Sequence, residues 1–144
     1  MRRRLATLLL SMAFLSPVSL IAAAQPSFAG TCSGTGATLT DYGGGHMTFG
    51  GSQHCDGSDV TSVDIKIHAQ RCTVQLFGCK SWGDVGSWVW KVRTGPGTVS
   101  DSHTMYGLAC GNLYHTWAEG EGYNSGGRFY YGSAWSSNEV QYNC

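Results

Sequence analysis

Polar and apolar residues alternate with a period of two along much of this chain, and no segment keeps a helical 3.6-residue period over three turns. In "VDIKIHAQ", Val63, Ile65, Ile67 and Ala69 fall on one side and Asp64, Lys66, His68 and Gln70 on the other, as in a half-buried antiparallel strand. "SWVWKVRTG" does the same, with Trp88, Trp90 and Val92 opposite Val89, Lys91 and Arg93, and "GPG" at 95–97 supplies a turn. "CGNLYHTWAEG" sets Tyr114 and Ala118 against Leu113 and Trp117, apolar on both faces, which suits a central strand. "HMTFG", "TVQLF", "TVSDSHTMY", "RFYYGSA" and "EVQYNC" complete seven or eight short strands, punctuated by glycines at 43–45, 50–51 and 126–127. The fold class expected is all-β, a small antiparallel β-sandwich or barrel-like domain.

The aromatic stretch "GRFYYGSAW" at 127–135 raises the question of which rings face inward. Unbroken alternation sends Phe129 and Tyr131 to the core and Arg128 and Tyr130 outward. If that strand pairs near "WVWKVR", Tyr130, Arg128, Lys91 and Arg93 gather into one exposed surface with the composition of a protein-binding hot spot. A solvated face with one outward tyrosine is the plainer alternative.

Residues 1–29 have the organisation of a secretory signal peptide. Arg2, Arg3 and Arg4 precede an apolar run from Leu5 to Leu15, and Ser27-Phe28-Ala29 offers small residues at −3 and −1 of a cleavage site. Cleavage leaves one domain, 30–144, with six basic residues against nine acidic ones, a formal charge of −3. That balance argues against nucleic acid as a partner, and there is no basic patch for anionic lipid or stop-transfer flank to hold the chain in a membrane after cleavage. All six cysteines lie in the exported part, and an even number there reads as disulfide staples. The pairing expected is Cys32–Cys55, Cys72–Cys79 and Cys110–Cys144, with the middle bridge closing a turn around "TVQLFG".

Catalytic chemistry is thinly represented. Ser125 lies in "GYNSGGR", which is ordinary turn sequence and not a nucleophile elbow. His46, His54, His68, His103 and His115 sit at no metal-ligand spacing, and Asp56 and Asp59 fall short of a calcium loop, so no metal or other cofactor is expected. Glu119 and Glu121 are the most enzyme-like pair. Two residues apart on a strand they share a face at roughly 7 Å, within the range of about 5–9.5 Å used by glycosidases. Gly120 and Gly122, however, point to a loop. Glu119, His115 and Arg128 also include the residue types of a small ribonuclease.

The Arg-led signal peptide, "CGNLYHTWAEG" and the terminal "EVQYNC" resemble those of small exported β-sandwich proteins of filamentous actinobacteria. In size, export, cysteine content and β character the chain is also similar to the adaptor subunits of umbrella-shaped toxin particles. That resemblance implies an adaptor or effector component of an extracellular assembly, with lectin-like and large toxin-bearing exported proteins as partners. A carbohydrate-binding module is the alternative, with Trp82, Tyr123 or Trp135 stacking on sugar. A hydrolase using Glu119 or Glu121 comes third.

Overall fold

The computed structural model describes residues 30–143; the expected signal peptide and Cys144 lie outside them. The described residues form ten strands and no helix. In chain order these are β1 (Thr31–Cys32), β2 (Gly36–Gly43), β3 (His46–Asp56), β4 (Val60–Gln75), β5 (Cys79–Asp84), β6 (Val89–Thr94), β7 (Gly97–Met105), β8 (Leu113–Asn124), β9 (Gly127–Trp135) and β10 (Val140–Gln141). All pairings are antiparallel. The strands beyond those expected are β1, β2 and β5, while the expected "TVQLF" strand merges into β4.

Two sheets curl round one core as a half-barrel. In the first, β3 lies between β7 on one side and β2 with β1 on the other. In the second, β4 lies between β8 and the successive strands β5 and β6, while β8 carries β9 and β10 on its far side. The core is built by the alternation read from the sequence. Val63, Ile65, Ile67 and Ala69 of β4 meet Leu39, Met47, Phe49 and Val99 of the first sheet. β8 is central, as its two apolar faces predict, and it places Tyr114 and Ala118 inward.

The sheets approach closely where side chains are small. A Cβ on Gly51 would come within 3.0 Å of Ile67 and 3.1 Å of Ala118. One on Gly120 would run into Gln53 and Thr35, and one on Gly122 would lie 2.7 Å from Cys32 Sγ and 2.9 Å from Cys55 Sγ. Gly120 and Gly122 are thus strand residues chosen for close backbone approach. The loop that these glycines suggest is not there.

The bridges Cys32–Cys55 and Cys72–Cys79 are formed as expected. Cys32 and Cys55 are direct cross-strand partners in β1 and β3. Cys72–Cys79 closes the β4–β5 hairpin. Within it, Thr73–Gln75 of the "TVQLF" strand extend β4, and Leu76 and Phe77 form the exposed tip. Cys110 is not a free thiol, and its expected partner Cys144 lies outside the described residues. Disulfides fit an oxidising compartment, and among the described residues no helix is long and apolar enough to cross a membrane.

β9 departs from simple alternation. Its register slips between Gly122 and Tyr123, so that Gly122 pairs with Tyr130 while Tyr123 pairs with Arg128. Phe129 is the extra residue of a bulge. Beyond it the faces exchange. Phe129 packs against the core as expected, but Tyr131 is 50% exposed and faces outward. Tyr130, expected outward, is half-buried on the inner side, its hydroxyl against Gly132 beside Thr35.

Because Gly122 touches the Cys32–Cys55 bridge, Gly122→Ala should destabilise the fold by about 1–3 kcal/mol through overpacking. The urea midpoint, measured against a Ser62→Ala control on the same sheet, reads this directly. A neutral result would show that the bridge can move aside.

Candidate functional site: the outer face of the second sheet

The polar side of β4 is not a solvated face. Asp64, His68 and Gln70 are buried and Lys66 is half-buried, although all point away from the core. Register explains this. Antiparallel partners share a face, so Asp64 lies between Val92 and Glu121, Lys66 between Trp90 and Glu119, and Gln70 between Asp84 and His115. On the next strand Trp117 pairs with Trp135 and Glu121 with Tyr131. Long side chains from β5, β6, β8 and β9 close over those of β4.

Every tryptophan of the chain is on this face, and among the described residues none belongs to the core. Their rings join in a ladder across the strands. Trp82 stacks on His115 with centroids 3.5 Å apart, and Trp135 lies 4.5 Å from the other side of that imidazole. Trp117 continues 5.5 Å from Trp135 and 5.0 Å from His68, and Trp88 stacks on His68 at 5.9 Å. Lys66 Nζ lies over Trp88. The outer rings Trp88, Trp90, Tyr131 and Trp135 are each about half exposed.

A chain of hydrogen bonds runs beneath the rings. His115 Nε2 donates to Gln70 Oε1 at 2.9 Å, and Gln70 Nε2 donates to Asp84 Oδ1 at 2.7 Å. His68 Nδ1 donates to Asp84 Oδ2 at 3.0 Å, while His68 Nε2 faces Glu119 Oε2 at 3.4 Å without the alignment of a hydrogen bond. Tyr131 donates to Glu119 Oε1 at 2.5 Å. A second group surrounds Glu121, which accepts from Tyr123 and, at 2.8 Å, from Arg128. Arg128 also lies over the Tyr131 ring. Trp90 Nε1 donates to Asp64 Oδ2 at 3.0 Å.

The protonation chemistry follows from this packing. Burial between rings lowers the His115 pKa from 6.5 to about 4, so the imidazole is neutral at neutral pH. Burial pushes Glu121 up, but hydrogen bonds from Tyr123 and Arg128 outweigh it and hold the carboxyl below its ordinary value. The Tyr123 hydroxyl, donating to that carboxylate, is pushed up to about 12. Asp84 is likewise held low by Gln70 and His68 against its burial. Asp64 goes the other way: burial raises it, and the Glu121 charge adds to the effect. Glu119 and Glu121 do share a face, but each carboxylate is engaged by protein donors. The acids here hold rings and an arginine in place.

The candidate residues from the sequence do not form one patch. β9 pairs with β8 at the far side of the sheet from β6, so the assumed pairing with "WVWKVR" does not occur. Arg128 faces outward with Tyr131. Tyr130 lies on the inner side, and Lys91 and Arg93 alternate with Trp90 and so point to the opposite side of the sheet from it. Trp82, Tyr123 and Trp135, the candidate sugar platforms, are all on the outer face. His115 is there too, as a buried spacer between rings. Ser125 sits in the β8–β9 turn, where Asn124 Oδ1 accepts the Gly126 amide. What alternation alone did not reveal is that the outward positions of neighbouring strands bring aromatic, acidic and basic side chains to matching heights.

The depressed His115 pKa sets a pH dependence. Below pH 6.5 the unfolded chain takes up a proton on His115 that the folded chain refuses until about pH 4. Stability is therefore full above 6.5 and falls as pH drops to about 4, by at most about 3 kcal/mol from this group. Urea unfolding between pH 7 and 4 should show the slope, and His115→Phe, which keeps a ring in the stack, should remove this part of it. Neither a scan against models of known protein families nor a search of curated proteins finds a match to this chain, so its function rests on the chemistry of this face.

Proposed function

We propose that the protein is an exported, non-catalytic binding protein and that the outer face of its second sheet holds a carbohydrate. The observation carrying this is the distribution of tryptophan: all five are on one outer face and none is in the core. Burying such rings would have contributed to folding. Leaving Trp88, Trp90 and Trp135 half exposed forgoes part of that gain and supports a role outside the fold. Flat rings offer apolar platforms to the C–H faces of a sugar. Lys66, Glu119 and Arg128 stand among them with polar atoms suited to hydroxyl groups. The rings are braced by one another and by the hydrogen bonds below, so little side-chain freedom is lost on binding.

Export through a cleaved signal peptide, and a third bridge between Cys110 and Cys144, belong to the same reading. The second reading is the adaptor of an extracellular toxin assembly, with lectin-like and large toxin-bearing proteins as partners. It is favoured by Arg128 lying over Tyr131 at the β9 edge, since arginine and tyrosine dominate protein-binding hot spots.

Pull-down on insoluble polysaccharides, cellulose and chitin among them, tests the proposal. The exported chain should be retained on at least one. Trp90→Ala and Trp135→Ala should each weaken retention by roughly thirtyfold, as loss of a hot-spot ring does. Glu119→Gln should leave any hydrolysis of the same polymers unchanged. Absence of retention on every polymer, with co-purification of other exported proteins at fixed ratio, would favour the adaptor reading.

A further inference from the structure

The half-barrel has a seam. The chain passes from the second sheet to the first through the turn at Gly95 and Pro96, and on either side of it β6 and β7 separate into different sheets. β6 pairs only with β4, and β7 only with β3. Each therefore keeps one edge whose backbone groups no strand satisfies. Between the two edges lies an open groove of about 340 Å³, lined by Lys91, Val92, Arg93, Thr98, Val99 and Ser100. Three consecutive residues from each strand line it. Since neighbouring side chains point to opposite faces, the groove must run along the strand edges themselves.

Its charge is one-sided. Lys91 Nζ donates to Ser100 O at 3.1 Å and Arg93 Nε to Pro96 O at 2.9 Å, and among the described residues neither cation has a carboxylate partner. Asp101, next along β7, accepts the amide of Ser102. Two uncompensated cations thus stand at an unpaired edge in a chain whose exported part is net negative. Cationic residues on an edge strand ordinarily discourage pairing with a like strand. The same charges attract a strand of opposite sign.

The geometry points to an acidic peptide segment, in extended form, as the occupant of this seam. It would add to the free edge of β6 by backbone hydrogen bonds and set carboxylates against Lys91 and Arg93. Carboxylate side chains on one face of the segment would replace the carbonyl contacts these cations now make, and apolar or small residues on the other would meet Val92. Lys91 and Arg93 face away from the ring ladder, so this site is separate from the carbohydrate proposal and stands or falls without it.

A labelled octapeptide of alternating Thr and Glu is the probe, titrated into the exported chain and followed by fluorescence anisotropy at low salt. Saturable binding is expected, weakened at least roughly tenfold by Lys91→Glu with Arg93→Glu and by raised salt. Hydrogen exchange should show new protection at alternate amides of β6. Both substituted positions are exposed, and an unchanged melting temperature would show that the variant folds. Four results would overturn the proposal. They are no binding of the acidic peptide, equal binding of a Thr-Lys octapeptide, equal binding of a peptide N-methylated at alternate amides, or a concentration-dependent dimer of the chain that the peptide does not displace.

Discussion

The close approach of the two sheets governs the rest of the molecule. At Gly51, Gly120 and Gly122 there is no room for a side chain, because Ile67, Gln53 and the Cys32–Cys55 bridge fill the space. A small domain buries a modest fraction of its surface, so tight contact at the centre and disulfide staples both matter. Beyond Tyr114, the inward positions of β8 are small: Thr116, Ala118, Gly120, Gly122. Thr116 uses its hydroxyl to bond Thr38 O in the opposite sheet at 2.7 Å. The bulk of β8 is thereby displaced outward, to His115, Trp117, Glu119, Glu121 and Tyr123.

That displacement creates a second packed layer on the far side of the sheet. Its members are polar or aromatic, yet several are as buried as core residues; His115 is only 4% exposed. Such a layer is stable only if its polar atoms find partners. Gln70 links His115 to Asp84, and Asp84 links Gln70 to His68, so one amide and one carboxylate hold one nitrogen of each of two imidazoles. The arrangement fixes ring positions without a hydrophobic cover. A binding surface needs that rigidity, since rings already held in place lose little entropy when a ligand arrives.

Much of the framework was legible in the sequence. The period-two stretches at 63–70 and 88–93 became β4 and β6, β4 with the faces expected. β6 has its tryptophan side turned outward and Lys91 and Arg93 on the side of the core residues Ile65 and Val63. The first two disulfides formed as paired. Three features were not legible, each for a physical reason. A bulge at Phe129 inserts one residue into β9 and reverses the faces of Tyr130 and Tyr131, and no local residue pattern announces it. The glycines of "AEGEGY" look like turn residues unless the opposing disulfide is known to press on them. The outer layer depends on cross-strand register, which places Lys66 beside Glu119 although they are distant in sequence, and alternation within one strand carries no such information.

The two faces of the second sheet differ in chemistry along a single strand. Along β6, Trp90 points to the ring layer while Lys91 and Arg93 turn to the seam. A ligand on one side need not exclude a ligand on the other. The strand between them is held on one edge only, by six residue pairs with β4, and its free edge and charged side chains make it the least covered strand of the sheet. Occupation of the seam would complete its hydrogen bonding and stiffen the platform under Trp88 and Trp90.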